Sequence, residues 1–403
     1  MTEHIRNSRE ILIISPALLE AATKRGGGIE EIDYQIALKL SRHFKVTIFT
    51  PYYKNYKKRI LINKNLILEE MMFPAINKYP PTSLMQKSYI SFFLIPIFSI
   101  ILFVRSILFI KEKRQLIVIV HSGLPGLSAA LVARFFKKRI IYSEGNLSPW
   151  IDLYVESGKL SMMTKSINLI DININKAISS LSTFIRVQSQ LIKKGMVNHG
   201  IEQSKIILIP GGVDTDRFRP FSDGIDSVLN MKIGFIGRLT KEKGVKLLID
   251  IIQLSLVELP TTRFIILGDG PFFNKLSKFS NIEHIGFVNG KELIAYLSRI
   301  HVVLFFQKDI GLAELEAMAS GKVIVACDFE EVAQSITHLE NGILCPPDAR
   351  CYLAAIKNLI IHPILYNNLS TNARGTALDK FSWDRIGSDW YNLCIGCFEM
   401  GDY

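Results

Sequence analysis

Cysteine is scarce in this 403-residue chain, which has only Cys327, Cys345, Cys351, Cys394 and Cys397. An odd, thinly spread set excludes a disulfide framework and points to reduced thiols. Cys394 and Cys397 form a CxxC, but no second pair and no histidine stands near them, so they read as thiols of an apolar tail helix. Acidic residues are also in deficit. Against 48 Lys and Arg there are 37 Asp and Glu, a formal charge of +11, which calls for an anionic partner: nucleotide phosphates, an anionic lipid surface or nucleic acid. Nucleic acid lacks support, because the cations are scattered over loops and no recognition motif appears. The first ten residues, MTEHIRNSRE, lack the apolar segment of a secretory leader, so a cytosolic start is expected. Internal repeats and low-complexity tracts are missing as well.

What is present is globular. Hydrophobic residues make up 48% and charged residues 21%, and the length suits two or three domains. One long apolar run stands out, Ile90 to Ile110, between basic clusters at Lys54 to Arg59 and Lys111 to Arg114. It is about long enough to cross a bilayer, yet Pro96 and Arg105 lie inside it and no second such run follows. It reads either as a buried helix or as one whose apolar side dips into an anionic leaflet while the flanking cations meet lipid phosphates.

Elsewhere short apolar runs alternate with helical patterns, which specifies parallel sheets covered on both faces. Strands are expected at Ile11 to Ser15, Val46 to Thr50, Leu116 to Val120, Ile140 to Tyr142, Phe184 to Val187 and Ile206 to Ile209. Residues 52 to 114 look least regular. A second series opens at Lys232 and continues through Arg263 to Leu267 and His284 to Phe287 to the stretch FFQKDIGLAELEAMASGKVIVAC, Phe305 to Cys327. The expected organisation is an N-terminal Rossmann-like domain over 1–218, a C-terminal one over 219–380, and a helix over 381–403 that packs back on the body.

The Phe305 to Cys327 stretch reads as strand, glycine turn, helix and strand. A helix that opens after a strand near Gly311 presents free N–H groups and a positive dipole end at the carboxyl edge, a ready anion site. Glu316, about a turn and a half in, is placed to accept hydrogen bonds from the hydroxyls of a ribose, or equally to be a solvated helix residue. The loop GRLTKEKG, Gly237 to Gly244, sets Arg238 and Lys243 at a neighbouring edge. There a guanidinium fork and an ammonium suit a diphosphate, although either could be a solvated loop cation. The triplet Gly26, Gly27 and Gly28 after the first strand lets backbone approach a ligand closely.

In order and spacing, GGGIE at Gly26, GGVDTDRFRP at Gly211, GRLTKEKG at Gly237, GDGP at Gly268, LEAMASGK at Leu315 and NGILCPPD at Asn341 resemble glycosyltransferase family 4. The resemblance is strong in the second half and weaker before residue 200. It implies an α/β protein of the glycosyltransferase B fold, with two Rossmann-like doubly wound domains facing across a cleft. It also implies a nucleoside-diphosphate sugar as donor, retention of anomeric configuration, and no metal or other cofactor. Arg238 and Lys243 match the diphosphate binders, together with Gly237, Gly311 and Leu312 at the two turns. Glu316 matches the ribose-binding glutamate, and Gly27 and Gly28 the loop that closes on the donor. A growing glycan or lipid-linked acceptor, in cell-surface polysaccharide synthesis at the inner face of an anionic membrane, completes the expectation.

Two positions depart from the pattern. A donor-sugar-contacting glutamate is usual eight residues before the ribose-binding one, and here that position is Lys308. An ammonium donates where a carboxylate accepts. A carboxylate-bearing donor such as a hexuronate would suit it, two opposite charges about 4 Å apart at an effective dielectric of about 20 attracting by about 4 kcal/mol. Equally, Lys308 could face solvent beside an ordinary hexose, or mark lost catalysis. In many members a histidine follows the strand matching Ile140 to Tyr142; here the sequence is YSEGN, with Glu144 or Gly145 at about that place. Glu144 and, on the preceding strand end, His121 are the candidates for orienting the acceptor or stabilising the transition state. The alternative to an enzyme is a non-catalytic sugar-nucleotide-binding subunit of a glycosyltransferase complex.

Overall fold

The computed structural model describes residues 9–15, 28–52, 59–72, 88–145, 150, 162–220, 231–288 and 290–400. The chain divides into two units, Met1–Pro210 with Gly387–Tyr403, and Gly211–Ile386.

The first unit is built on an eight-stranded sheet in the order β3-β4-β2-β1-β5-β6-β7-β8. Its strands are β1 Glu10–Ile14, β2 Lys45–Tyr52, β3 Ile60–Asn63, β4 Leu66–Met72, β5 Leu116–Val120, β6 Arg139–Glu144, β7 Phe184–Val187 and β8 Ile206–Leu208. All neighbours are parallel except β3 and β4, an antiparallel hairpin at the edge. The helices are α1 Gly28–Leu40, α2 Ser88–Ile110, α3 Leu124–Phe135, α4 Met162–Leu181 and α5 Gln190–Asn198. Strand β5, LIVIV, is buried at every position, as a strand covered on both faces must be. The hairpin corrects the irregular reading of residues 52 to 114. Glu69 and Glu70 interrupt the apolar pattern of β4, yet both are buried, and Glu69 accepts from Arg105 Nε of α2 at 2.8 Å.

That ion pair also explains an arginine inside an apolar helix. Helix α2 turns Phe98, Leu102 and Ile110 into the core and Arg105 towards β4. Its opposite side stays apolar and exposed at Ile97, Ile100, Phe103, Val104 and Leu108, with Ile100 65% exposed. Helix α3 continues the patch through Leu131 and Phe135, the latter 81% exposed. Between the two helices runs an apolar groove of about 250 Å³. At one end Lys138 Nζ donates to Arg114 O at 3.2 Å, which gathers the basic turns after α2 and α3. Among the described residues no helix is long and apolar enough to cross a membrane.

The second unit carries a six-stranded parallel sheet, β11-β10-β9-β12-β13-β14. The strands are β9 Lys232–Ile236, β10 Arg263–Leu267, β11 Ile282–Gly286, β12 Val302–Phe305, β13 Val323–Cys327 and β14 Ile343–Cys345. Its helices are α6 Val245–Glu258, α7 Phe273–Leu276, α8 Gly290–Arg299, α9 Leu312–Ala319, α10 Ala349–Ile361 and α11 Pro363–Phe381. Alternate side chains of β9, β10, β12 and β13 enter two separate apolar clusters, one on each face. Helix α11 is clamped by Arg374, whose guanidinium donates to the carbonyls of Phe218 and Ala319, both at 2.7 Å, and of Thr215 at 3.0 Å.

The last helix, α12 Trp383–Glu399, begins in the second unit and runs into the first. There Trp390 and Cys394 are buried, Tyr391 stacks on Phe44 with centroids 5.7 Å apart, and Arg186 lies 5.7 Å over the Trp390 ring. Burial pushes the thiol of Cys397 up to about 12 and that of Cys394 higher still, as befits packing residues.

Arg374→Ala removes three charge-assisted bonds and leaves their carbonyls without that donor. It is expected to destabilise the second unit by about 2–4 kcal/mol in urea unfolding; an unchanged midpoint would show that the clamp carries no stability.

Candidate functional site

In the second sheet β9 lies between β10 and β12, so the crossovers leaving β9 and β12 depart in opposite directions. Open parallel sheets bind ligands at such a switch point, outside the strands' carboxyl ends. The loop after β9 is Gly237 to Gly244 and the loop after β12 is Phe306 to Gly311. These two loops and helix α9 hold every site residue expected of this half.

The β9 loop is pinned by glycines. Gly237, at φ 151°, donates to Leu267 O at 2.9 Å; Gly268, at φ 146°, would carry a Cβ only 1.8 Å from Gly237 O. Leu239 N donates to Asp269 O at 2.8 Å, so the GRL and GDG turns are stitched together. Gly244, at φ 73°, caps α6 where a Cβ would meet that of Phe306 at 2.4 Å. Side chains there would wedge the loops apart.

On this platform Lys243 Nζ donates to Gln307 Oε1 at 2.5 Å, which ties the two loops across the switch point. Arg238 is exposed on the same loop. Lys308 is exposed too, its ammonium 5.7 Å over the Phe329 ring. Gly311 is the N-cap of α9, Leu312 its first residue, and Glu316 is half-buried further along it. The sequence reading passed over Glu314. It is 4% exposed, and its Oε2 accepts the Gly311 N–H at 3.0 Å. Burial raises its pKa, against the charge of Lys243 and the N–H groups of Glu314 and Gly311. An acid three residues after a helix-opening glycine is the signal that would have found it.

In the first unit the structure brings His121 and Glu144 into one buried network. His121 Nε2 lies 2.8 Å from Asp33 Oδ1 of α1. Glu144 is fully buried and accepts from the Tyr142 hydroxyl and, at 2.8 Å, from Trp150 Nε1. Arg186 of β7 is buried beside them and donates through Nε to Ile209 O at 2.7 Å. Burial lowers its pKa to about 10 against the charges of Asp33 and Glu144. Among the described residues, Asp33 Oδ2 and Arg186 Nη2 find no hydrogen-bond partner. Gly28 opens α1, and Gly27 lies outside the described residues. Among the described residues no group of three His, Cys, Asp or Glu is placed to hold a metal ion.

Residues 230–362 match the model of the family described as glycosyl transferases group 1. The match lies within the second unit, where the motifs that resemble glycosyltransferase family 4 are densest. An uncharacterized glycosyltransferase of Methanocaldococcus jannaschii, MJ1607, is 27% identical over 176 residues, 41% of this chain and 45% of that protein. An uncharacterized 41.2 kDa protein in the cps region of Klebsiella pneumoniae is 27% identical over 221 residues, 52% of this chain and 60% of that one. The aligned stretches thus span less than two thirds of these relatives. Sucrose-phosphate synthase from Thermosynechococcus elongatus superposes with a TM-score of 0.76 at 17% identity, over 98% of this chain and 100% of that one. Anabaena Alr3699/HepE in complex with UDP gives 0.70 at 15%, over 96% and 100%. These likenesses bear out the expected fold class, two Rossmann-like parallel-sheet domains of the glycosyltransferase B fold.

For His121, burial disfavours the imidazolium, but the Asp33 charge and hydrogen bond outweigh it and the pKa is raised. A raised histidine contributes stability that is complete below the unfolded pKa near 6.5 and is lost as pH rises through the folded value. Asp33→Asn is therefore expected to destabilise the first unit more at about pH 6 than at about pH 9 in urea unfolding. An equal loss at both would show that the pair carries no charge.

Proposed function

We propose that the protein is a metal-independent, retaining glycosyltransferase that moves a sugar from a nucleoside-diphosphate donor to a glycan or lipid-linked acceptor. The observation that carries this reading is the Lys243 ammonium fixed by Gln307 beside the opening of α9, at the switch point of a sheet that matches the glycosyl transferases group 1 model. That a protein of the same fold is in complex with UDP supports a nucleotide ligand.

In this mechanism Arg238 and Lys243 neutralise the charge that grows on the leaving diphosphate, and the amides of Gly311 and Leu312 take its oxygens. Glu316 accepts from the ribose hydroxyls. Lys308 flanks the sugar, where its ammonium favours a carboxylate-bearing donor. No side-chain nucleophile is needed; the acceptor attacks on the face the leaving group departs from, and the leaving phosphate takes its proton. The buried Asp33, His121, Glu144 and Arg186 network then shapes the acceptor side through the backbone it holds rather than by touching substrate.

Calorimetric titration with UDP, GDP and a panel of nucleotide sugars tests the donor site. Glu316→Ala should weaken nucleotide binding about 10- to 100-fold, the loss of one or two hydrogen bonds to a charged acceptor; unchanged affinity would remove the nucleotide from this place. A uronate donor that binds best, with Lys308→Glu turning the preference to neutral hexoses, supports donor selection by Lys308. Donor binding without turnover favours the non-catalytic subunit instead.

The acceptor reading extends to an anionic membrane surface, peripheral at its inner face. Support comes from the exposed apolar side of α2 and α3 and the basic turns gathered at its end. The protein is expected to sediment with vesicles containing phosphatidylglycerol and not with pure phosphatidylcholine. Ile100→Glu with Phe135→Glu should release it, and retention of that double variant would remove the patch from the reading.

A further inference from the structure

Glu314 stands where the candidate site has least room for a negative charge. Its carboxylate already occupies the Gly311 N–H, one of the two amides assigned above to a diphosphate. A Cβ at Gly311 would come within 2.9 Å of the same oxygen, so the carboxylate lies tight against the turn. Lys243, the fixed cation of the site, is the charged side chain that acts on it. The helix end thus carries an anion of the chain's own, held by the groups that would hold a ligand's.

A diphosphate arriving at Lys243 and the Gly311 amide competes with this carboxylate for both. Glu314 is 4% exposed and sits in the first turn of α9, so its charge is held away from water beside the phosphate position. Neutralisation relieves the conflict with no backbone movement. Other charges stand on neighbouring segments: Lys308 and Asp309 on the loop before the helix and Glu316 on the helix itself. Lys322 follows the far end of α9, and Arg374 of α11 is bonded to Ala319 O near that end.

We propose that a nucleoside diphosphate binds this site with uptake of one proton by Glu314. The carboxylate that caps Gly311 in the free protein yields the N–H to a phosphate oxygen and becomes a carboxylic acid. The proton comes from solvent on binding and returns when the product nucleotide leaves. This rests on the diphosphate reading of the site. It assigns Glu314 a positioning role, setting the pH range over which the donor binds.

The linkage has a fixed sign. Affinity is constant below the pKa of Glu314 in the free protein, falls up to tenfold per pH unit between that value and the higher one in the complex, and is constant again above it. The test is isothermal titration with UDP and with GDP, in two buffers of different ionisation enthalpy, from about pH 5 to about pH 8.5, with wild type and Glu314→Gln. Glutamine keeps an oxygen for the Gly311 N–H and cannot titrate. Across this range wild type should take up more protons on binding than the variant, whose uptake is that of the nucleotide's own terminal phosphate alone. Wild-type affinity should fall across the range at least threefold more than that of the variant.

No uptake by wild type, or equal uptake by both proteins, overturns the proposal and leaves the diphosphate site standing. If neither nucleotide binds wild type at any pH, the diphosphate reading falls and this proposal with it. Should Glu314→Gln fail to fold, the wild-type proton count across the range, less that of the nucleotide's own terminal phosphate, decides alone, and its absence is the negative result.

Discussion

The approach of Gly268 to the carbonyl of Gly237 is the contact on which the second unit's chemistry depends. Adjacent parallel strands end at the same edge, and their outgoing loops would ordinarily splay apart. Here two backbones close to a separation at which no Cβ fits, and the bond from Leu239 to Asp269 O locks them. Lys243 projects from a platform that is already rigid, so its single bond to Gln307 suffices to fix its ammonium. A cation held in place before the ligand arrives loses little freedom on binding, which is how electrostatic preorganisation works.

Much of this was legible in the sequence. Gly237 and Gly268, each directly after a strand-length apolar run, and Gly244 and Gly311, each opening a helix, mark the edge loops and place Arg238, Lys243 and Glu316 at or beside them. Strands buried on both faces, such as LIVIV and VIVAC, announce themselves because nothing polar interrupts them. The hairpin at Ile60–Asn63 and Leu66–Met72 was hidden for the opposite reason. Its Glu69 and Glu70 break the apolar pattern, and the arginine that neutralises Glu69 comes from a helix 36 residues away in the chain. Glu314 escaped similarly: on a helical wheel it is one more acid, and although its spacing from Gly311 marks a capping partner, only the fold shows that it is buried.

The first unit shows what a departure from a family pattern does when the surroundings adapt. At about the place where the family resemblance leads one to expect a histidine, Glu144 stands with two donors, Tyr142 and Trp150, and with Arg186 close enough for the charges of Glu144 and Asp33 to stabilise the guanidinium. His121 is bound to Asp33 in the same interior. A buried acid, a buried base and partially paired atoms at Asp33 and Arg186 form a network whose members hold one another. Altering one member leaves the rest with an uncompensated charge.

Helix α12 has a consequence for the order in which the protein is made. The interior of the first unit includes Trp390, Cys394 and Cys397, which emerge from the ribosome only after the whole second unit. Until then Phe44 and the Arg186 guanidinium lack the aromatic partners that cover them. The domain begun first is therefore finished last, while the second unit, continuous in sequence, can close on its own. During synthesis the nascent first half exposes an apolar seam for as long as the second half takes to appear, a window in which chaperone binding is favoured.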